Sequence, residues 1–274
     1  MSSPSEADLR RYLDVANLAC DAAAVVLDSH FGNLRKLEEK FQAGLVSDAD
    51  RESEIAIVSI LRKSFPDHSV LGEEFGSSGT KTDDARFVWM IDPLDGTTNY
   101  VHQFPFFATS IGLEVDGEVV VGVVNAPKLG LRFQGAKGLG SFVNGERLKV
   151  STRAVMKDGL FATGFSSYDN TLDEQLELLA TIVKHSRGIR RAGAAALDLC
   201  LVAQGIFDVY WEKNLSPWDT AAGIVIAREA GAVVTDMRGQ SFDPRMKSLL
   251  CGNPALHAET MKFMQEIAKR KGRY

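Results

Sequence analysis

The sequence feature that most constrains the fold is an apolar run that ends in two acidic residues. Residues 87–91 are all apolar, a length that is too short for a typical globular helix and is typical of a fully buried strand. Asp92 and Asp95 follow, and Pro93 between them cannot extend a central strand, so we expect the strand to end there. The sequence therefore places two carboxylates at the end of a buried strand.

The residues after these acids, Gly96, Thr97 and Thr98, are of the kinds that turn a chain and begin a helix. Two interpretations stay open for this stretch alone. Carboxylates attract hard cations, and the free amides at the start of a helix attract phosphate, which would make this junction a binding site. Alternatively, the acids are solvated charges at an ordinary junction between a strand and a turn.

Length and charge narrow the classes of protein to consider. The chain has 274 residues, 45% of them hydrophobic, which suffices for one large domain or two lobes with a substantial core. A formal net charge of -5 argues against nucleic acid as the main partner, because binding to a phosphate backbone needs basic clusters. A small phosphorylated substrate is compatible with that charge, because a bound metal can supply positive charge locally.

The cysteines and the apolar runs bear on the compartment. Cys20, Cys200 and Cys251 are far apart in the sequence, and we expect buried free thiols in a reducing compartment. Charged residues occur throughout the first turns of the N-terminal helix, so no secretory signal is visible there, and no apolar run approaches the length that crosses a membrane. We therefore expect a cytoplasmic protein without a membrane partner.

The order of the predicted elements divides the chain near residue 150. An α+β portion over about 1–150 precedes an α/β portion over about 151–274, and we expect two lobes packed as one unit because no Pro- or Gly-rich linker separates them. Before residue 150 we predict helices over 5–31 and from 47 or 48 to 66, a charged connection over 36–40, a polar loop over 77–84, and strands over 69–72, 106–115, 118–124, 131–133 and 140–143. After it we predict helices over 172–184, 193–203, 216–230 and from 254 onward, and strands over 160–163, 188–191, 206–211, 232–235 and 248–251. Asp116-Gly117 is the strongest hairpin signal among them.

A third acid lies at a predicted helix start that is made almost entirely of small residues. Ser216, Pro217 and Asp219 match the N-cap, first and third positions of a helix, a pattern that stability alone explains. The small residues over 221–223 indicate that something approaches this helix closely, and residues 193–196 repeat the pattern one helix earlier. A bound anion or a tightly packed helix would each need such a start, and spacing does not separate the two.

Two further acidic positions have ordinary explanations when each is considered alone. Asp50 lies in the first turn of a predicted helix, where an acid complements the helix dipole. Glu73 and Glu74 directly follow a short predicted strand, where acids are usually solvated. They become candidates for a site because another strand ends in acids nearby in the sequence.

Taken together, three motifs resemble the inositol monophosphatase family of metal-dependent, lithium-sensitive phosphatases. They are Gly72-Glu73-Glu74, residues 92–99, and residues 218–223 followed by Glu229-Ala230-Gly231. The resemblance spans about residues 40–253 and implies an α/β fold, the layered αβαβα sandwich of the inositol monophosphatase and fructose-1,6-bisphosphatase type. It also implies dependence on Mg2+ and a homodimer.

The resemblance also implies a role for each residue that matches a motif. Ligands of the first Mg2+ would be Glu73, Asp92 and the main-chain carbonyl of Leu94. Ligands of the second would be Asp92, Asp95 and Asp219, and a weaker third ion would use Glu73 and water. Catalytic positions at the attacking water would be Glu73, Asp50 and Thr97. Substrate contacts would be Asp95, Gly96, Thr97, Gly193, Ala194, Ala195, Asp219 and Glu212, the last being the acid that holds sugar-ring hydroxyls.

Two positions match the family less well. Lys40 resembles the lysine found upstream of the Asp50 position, but the spacing differs by one residue. Ala194 stands where the family often has Ser or Thr, so this chain lacks a hydroxyl that could bond substrate or cap the helix. That difference bears on substrate preference more than on the chemistry.

Elementary electrostatics agrees with the resemblance. The four carboxylates of Glu73, Asp92, Asp95 and Asp219 would repel one another in one cleft, and some would protonate. Two divalent cations about 3.5–4 Å apart would remove that conflict, activate a water and stabilise the departing alkoxide. Ligation by oxygen alone favours Mg2+ or Mn2+ over zinc, and we expect in-line attack by water without a phospho-enzyme.

The leading hypothesis is Mg2+-dependent hydrolysis of myo-inositol monophosphate, a small phosphorylated polyol, to myo-inositol and phosphate. Alternatives on the same fold are hydrolysis of histidinol phosphate, a nucleotide 3'-phosphate or fructose 1,6-bisphosphate. A further alternative is a binding or regulatory protein without catalysis, for example in an RNA-processing assembly. Glu212 favours a polyhydroxy ring, because a carboxylate accepts hydrogen bonds from adjacent hydroxyls.

Overall fold

The structure of the protein, a computed structural model, describes residues 3–34, 37–40, 44–78, 85–165 and 171–270. In chain order its α-helices are α1 Glu6–His30, α2 Asp48–Ser64, α3 Thr97–Val101, α4 Leu172–His185, α5 Ala195–Ala203, α6 Pro217–Glu229 and α7 Pro254–Arg270. Its strands are β1 Leu37–Lys40, β2 Gly44–Ser47, β3 Ser69–Gly72, β4 Gly76–Ser78, β5 Phe87–Asp95, β6 Ala108–Val115, β7 Glu118–Ala126, β8 Leu131–Ala136, β9 Gly140–Val143, β10 Glu146–Arg147, β11 Leu160–Thr163, β12 Gly188–Arg190, β13 Val209–Lys213, β14 Val233–Thr235 and β15 Ser248–Gly252. Over these ranges no helix has the length and apolar character needed to cross a membrane.

The strands form two large sheets and a separate ribbon. In the first sheet the order is β10-β9-β8-β7-β6-β5-β3-β4, with β3 and β5 parallel and the other neighbours antiparallel. In the second sheet the order is β12-β11-β13-β15-β14, with β11 parallel to both of its neighbours. The ribbon pairs β1 with β2 and leads directly into α2. The predicted hairpin around Asp116-Gly117 is confirmed as the turn between β6 and β7.

Helices cover the outer faces of both large sheets and fill the space between them. α1 and α2 pack on the first sheet, where Ala16, Ile57 and Trp89 are fully buried in one cluster. α5 and α6 lie between the sheets, with Leu197 and Ile224 in a cluster that draws on both halves of the chain. α4 and α7 cover the far face of the second sheet. The layer order is therefore αβαβα, and the predicted fold class is confirmed; the division into two lobes stays a prediction.

Close packing of α6 against the first sheet explains the small residues at the start of that helix. A Cβ on Gly112 would lie 2.7 Å from Cβ of Ala221, and a Cβ on Gly122 would lie 2.8 Å from Cα of Ala222 in the same helix. On the side facing α5, a Cβ on Gly223 would lie 2.6 Å from Cδ1 of Leu199. Such distances leave no room for side chains in a close-packed interior. Of the two interpretations left open for this helix start, tight packing is the one that these contacts show.

Two predictions about polar stretches in the N-terminal half are wrong. The predicted charged connection over 36–40 contains strand β1, which pairs with β2 along its whole length. The predicted polar loop over 77–84 begins with part of strand β4, which pairs with β3. Backbone pairing does not require apolar side chains, so strands at a sheet edge or in a ribbon leave little hydrophobic signal. Lys36, the side chain of Lys40 and residues 79–84 lie outside the described part of the chain.

The strand predicted over 206–211 begins later than expected, at Val209. The amides of Ile206 and Phe207 both donate to the carbonyl of Leu201, so these residues close the C-terminal end of α5. The first apolar residues of this stretch therefore belong to a helix terminus. Their sequence pattern does not distinguish a helix terminus from the start of a strand.

Candidate active site

Strand β5 carries two of the acids and continues past the proline at which we expected it to end. Asp92 pairs with Ser110 of β6 and Asp95 pairs with Ala108, so two residues of β5 face one residue of β6 between these pairs. This insertion is a β-bulge, and the missing N–H of Pro93 falls where the ladder is interrupted. The prediction that the strand ends at Pro93 is therefore wrong, because the bulge accommodates the proline within the strand.

Asp92, Asp95 and Asp219 lie close enough to Glu73 for its charge to raise their pKa values. Burial, and next the charge of Glu73, raises the pKa of Asp92 well above its ordinary value, and Asp95 and Asp219 raise it further. Burial likewise raises the pKa of Asp219 well above its ordinary value, against a hydrogen bond from the amide of Ser216. The structure thus brings acids from the end of β3, from β5 and from the start of α6 into one electrostatic neighbourhood.

Asp95 is held by the N-terminus of α5. Its Oδ1 accepts from the amide of Ala195 at 3.1 Å, and its Oδ2 accepts from the amide of Ala196 at 2.7 Å. Burial raises the pKa of Asp95 to about 7 although these two hydrogen bonds lower it, and Glu212 and Glu73 add to the rise. Ala195, which the family resemblance assigned to substrate, therefore donates its amide to a carboxylate of the chain itself in this structure.

A glycine turn places the end of β5 beside the loop that precedes α5. Gly96 has a φ of +92°, in the left-handed region that favours glycine. A Cβ there would lie 3.2 Å from the carbonyl oxygen of Gly193 and 3.3 Å from Cβ of Ala194. Asn99 of α3 donates from Nδ2 to the carbonyl of Ala192 at 2.8 Å and fastens the two segments together. Gly96, Gly193 and Ala194 are therefore neighbours in space, as substrate contacts at one site must be.

Asp50 caps its own helix with one carboxylate oxygen and faces Thr97 with the other. Its Oδ2 accepts from the amide of Ser47 at 2.8 Å and from the hydroxyl of the same residue at 2.6 Å. Oγ1 of Thr97 lies 3.1 Å from Oδ1 of Asp50 and 3.1 Å from the carbonyl oxygen of Leu94, two acceptors for one hydroxyl proton. Burial raises the pKa of Asp50, against the hydrogen bonds from Ser47. Asp50 therefore does more than complement the helix dipole.

A second carboxylate of α2 holds the turn that carries Glu73. Glu54 is 1% exposed, and its Oε2 accepts from the amide of Glu74 at 2.8 Å while its Oε1 accepts from the amide of Phe75 at 3.1 Å. We did not single out Glu54 from the sequence. Its position four residues after Asp50, one helical turn along the same face, is the signal that could have identified it.

Glu212 of β13 extends the acidic neighbourhood to the second sheet. Burial raises its pKa to about 7, against a hydrogen bond that its Oε2 accepts from the hydroxyl of Tyr210. Glu212 in turn raises the pKa values of Asp95 and Asp219, so it shares their surroundings. Asp198 of α5, 1% exposed and missed in the sequence, is a further acid whose pKa burial raises, with Glu212 and Asp95 contributing.

The donor chemistry of this neighbourhood fits a hard divalent cation. Its side chains are buried and half-buried carboxylates that repel one another, and oxygen donors of this kind are the ligands that Mg2+ takes. In the part of the chain that the structure describes, no group of three or more acidic, histidine or cysteine side chains is already arranged to hold a metal ion. Two surface cavities of about 480 and 470 Å³ are lined by other residues than these four acids. The acids themselves therefore mark the candidate site.

Comparison with known proteins decides the family. The sequence model of the inositol monophosphatase family matches residues 8–269 of this chain. The chain belongs to the inositol monophosphatase family. Membership confirms the resemblance that the three motifs carry, and it identifies the protein as a member of a phosphatase family.

Other members of the inositol monophosphatase family resemble the chain over nearly its whole length. A protein of Aquifex aeolicus named fructose-1,6-bisphosphatase/inositol-1-monophosphatase is 41% identical over 266 residues, which are 96% of this chain and 97% of that protein. The Nus factor SuhB of Pseudomonas aeruginosa is 39% identical over 86% of this chain and 90% of its own. The crystal structure of the extragenic suppressor protein SuhB from Bartonella henselae has a TM-score of 0.87 and 38% identity, covering 93% of this chain and 98% of that one. Because these names differ, family membership gives phosphatase chemistry and leaves the substrate open.

Proposed function

We propose that this protein hydrolyses myo-inositol monophosphate to myo-inositol and phosphate, with Mg2+ as its cofactor. The observation that carries the proposal is that Asp92, Asp95 and Asp219, from distant segments of a chain in a phosphatase family, lie near one another and near Glu73, whose charge raises their pKa values. Buried carboxylates that repel one another are costly unless cations compensate them. A phosphate ester is a substrate whose hydrolysis uses those cations.

The residues that we assign to Mg2+ are Glu73, Asp92, the main-chain carbonyl of Leu94, Asp95 and Asp219. Two or three such ions, or Mn2+ in their place, would supply positive charge to the phosphoryl oxygens and lower the pKa of a water molecule. The bulge in β5 supports this assignment, because it lets Asp92 and Asp95 both project from the end of one strand.

The chain itself orients the attacking water. The hydroxyl of Thr97 donates a hydrogen bond to Asp50, so its oxygen lone pairs are left to accept a hydrogen bond from a water molecule. Ser47 holds Asp50 in place through two hydrogen bonds, so the pair is preorganised. Glu73 is the third catalytic residue that we assign, as an acceptor at the same water.

Substrate contacts follow from the neighbours of Gly96. We assign the phosphate group to the amides of Gly96 and Thr97, and the adjoining substrate atoms to the loop at Gly193 and Ala194, which Gly96 touches. Glu212 is assigned to the ring hydroxyls, because its charge acts on Asp95 and it therefore lies near that acid. A carboxylate there selects for a polyol, since it accepts hydrogen bonds from neighbouring hydroxyls.

Fructose 1,6-bisphosphate is the second candidate substrate, because the relative from Aquifex aeolicus is named for both activities. A binding role beside hydrolysis is a second class of function, and the relative named Nus factor SuhB favours it. Histidinol phosphate and a nucleotide 3'-phosphate remain as small monoesters of the same chemical class.

A substrate panel tests these possibilities directly. Purified protein is assayed for phosphate release from myo-inositol 1-phosphate, fructose 1,6-bisphosphate, histidinol phosphate and a nucleotide 3'-phosphate, each with Mg2+, with EDTA and with added Li+. We expect the highest kcat/KM for the inositol ester, loss of release in EDTA and suppression by Li+. A higher kcat/KM for another ester would replace the proposed substrate, and no release from any of them would remove the proposed activity.

We also infer a homodimer in the cytoplasm. The dimer follows from the family resemblance, and light scattering that gives the mass of a single chain would refute it. The compartment follows from the cysteines: Cys20, Cys200 and Cys251 are buried and free, and burial raises the pKa of the Cys20 thiol to about 12. Buried thiols that stay protonated form no disulfides and suit a reducing environment.

A further inference from the structure

We propose that Glu54 is a positioning residue whose carboxylate fixes the turn that carries Glu73, and that Gly72 is glycine because of this contact. The inference rests on the role proposed above for Glu73 as a cation ligand. It goes beyond that role, because none of the three family motifs includes Glu54, and Glu54 itself touches neither substrate nor cation in this account.

The first observation is the way in which Glu54 holds the turn. One carboxylate oxygen accepts from the amide of Glu74 and the other accepts from the amide of Phe75. Two amides on one carboxylate fix its orientation, and hydrogen bonds to a charged acceptor are stronger than those between neutral groups. Glu54 is itself buried, so its carboxylate is shielded from solvent. The turn between β3 and β4 is therefore anchored to α2 immediately after Glu73.

The second observation concerns the residue immediately before Glu73. A Cβ on Gly72 would overlap Oε1 of Glu54 and would lie 2.9 Å from its Oε2. Gly72 pairs with Ile91 in the β3–β5 ladder, and it is not among the glycines with positive φ. Backbone conformation therefore does not require glycine here. Glycine is required because the Glu54 carboxylate occupies the space that a side chain would need. Glu54 therefore contacts the chain both before Glu73, at Gly72, and after it, at the amides of the turn.

The third observation is that α2 joins two parts of the site. Asp50 and Glu54 lie one turn apart on the same face of α2. Asp50 contacts Thr97, which follows β5, and Glu54 contacts the turn that follows β3, the parallel neighbour of β5. The helix therefore sets the spacing between Glu73 and Thr97, the two groups that we assign to the same water.

Glu54→Gln is the substitution that isolates this contact. Glutamine keeps the shape of the side chain, but its NH2 group cannot accept from an amide, so one of the two anchors is lost. Glu52→Gln is the matched control, because Glu52 lies on the same helix and loses the same charge. Its carboxylate instead contacts Nε2 of His30 at 2.9 Å, and its side chain is 57% exposed.

The experiment is a calorimetric titration of Mn2+ into the metal-free wild-type protein and each variant, together with hydrogen exchange of the amides in the turn. We expect the Kd of the Glu54→Gln variant for Mn2+ to rise about 10–100-fold, the range found when the partner of a metal ligand is removed. We also expect faster exchange at Glu74 and Phe75. The Glu52→Gln protein should bind Mn2+ as the wild type does. Equal Kd values for wild type and Glu54→Gln, or an equal loss in both variants, would overturn the proposal.

Two further variants keep the test decisive if Glu54→Gln does not fold. Gly72→Ala attacks the same contact from the other side, and a folded Gly72→Ala protein should also bind Mn2+ at least 10-fold more weakly. Glu54→Asp keeps both acceptors on a shorter side chain and should retain more affinity than Gly72→Ala. Wild-type affinity in a folded Gly72→Ala protein would contradict the proposal.

Failure of this inference and failure of the proposed function give different results. A wild-type protein that binds Mn2+ through a Glu54-dependent site, but releases phosphate from no ester, would lose the proposed function and keep the positioning role. A protein that hydrolyses inositol phosphate, with a Mn2+ affinity that Glu54→Gln leaves unchanged, would keep the function and lose the positioning role.

Discussion

The carboxylate of Asp95 accepts a hydrogen bond from the amide of Ala196 at 2.7 Å, although the two residues are 101 positions apart in the sequence. This hydrogen bond makes one side chain both the cap of α5 and a member of the acidic neighbourhood. Burial raises the pKa of Asp95 to about 7 in spite of it, so the environment opposes the charged form that cation binding needs. A divalent ion beside Asp95 would reverse that preference.

Replacing Asp95 by Asn should therefore abolish most of the phosphatase activity. An amide is a poorer ligand for a hard cation than a carboxylate, and its NH2 group would face an amide of α5. We expect phosphate release to fall by about 10²–10³-fold, the loss typical for one preorganised electrostatic partner of a transition state. Asp116→Asn is the control, because Asp116 lies in an exposed turn at a φ of +51° that Asn also tolerates. Near-wild-type release by Asp95→Asn would contradict the assignment, and a cellular role that survives this change would rest on binding.

The hydroxyl of Thr97 should contribute to turnover more than to substrate affinity. Thr97→Val removes the hydroxyl between Asp50 and the carbonyl of Leu94 while keeping the volume of the side chain. We expect kcat to fall by about 10²-fold with little change in KM, at the lower end of general-base effects. Thr97→Ser keeps the hydroxyl and should retain most of the activity. An equal loss in both variants would show that packing, and not the hydroxyl, matters at this position.

Sequence patterns predicted the elements that depend on local chemistry. The capping box of Ser216 and Asp219, and the Asp116-Gly117 turn, are each formed by residues within four positions of one another, and the structure contains both. Strand β5 was predicted because five apolar residues in succession suit few other structures. The convergence of the acids into one site was inferred from a family resemblance, since it depends on contacts between distant segments.

Long-range contacts explain what the sequence patterns missed. Glu54 acts through a hydrogen bond to the turn after β3, and the sequence of α2 alone does not identify that turn as its partner. The continuation of β5 through Pro93 depends on a bulge opposite β6, which is a property of the pair of strands. The small residues near Ala221 allowed two interpretations, and only the glycines of the facing sheet decide between them.

Without metal, the protein should lose stability as the pH rises from about 4 to about 7. Burial raises the pKa values of Asp95 and Glu212 to about 7 in the folded state, and it also raises that of Asp92. In this range the folded protein keeps protons that the unfolded chain has released, so the free energy of unfolding decreases with increasing pH. Bound cations neutralise the carboxylates in place of protons. Saturating Mg2+ should therefore reduce the decrease in the free energy of unfolding with pH. Thermal unfolding between pH 4.5 and 7.5, in EDTA and in Mg2+, measures the difference, and parallel curves would contradict the account.

The contact between the first sheet and α6 predicts an unequal response to two glycine substitutions. Gly122→Ala places a Cβ 2.8 Å from Cα of Ala222 in α6 and should destabilise the protein by about 1–3 kcal/mol, the usual cost of overpacking. At Gly188, also in a strand, a Cβ would approach only flexible side-chain ends at 3.6 Å and 3.7 Å. Gly188→Ala should therefore change the free energy of unfolding by less than about 0.5 kcal/mol. Urea unfolding of both variants measures this, and equal stabilities would contradict the packing described here.

The most direct test of the central claim is a crystal structure of the protein grown with Mn2+, with the anomalous signal of manganese located. Shared coordination by these acids predicts two peaks about 3.5–4 Å apart, the spacing of two-metal sites, with Asp92 between them and Asp219 coordinating one. Their positions should not require a change in the β5 bulge or in the turn held by Glu54. Manganese peaks remote from Asp92, Asp95 and Asp219, or no peak in a crystal soaked at saturating Mn2+, would contradict the claim that these acids share divalent cations.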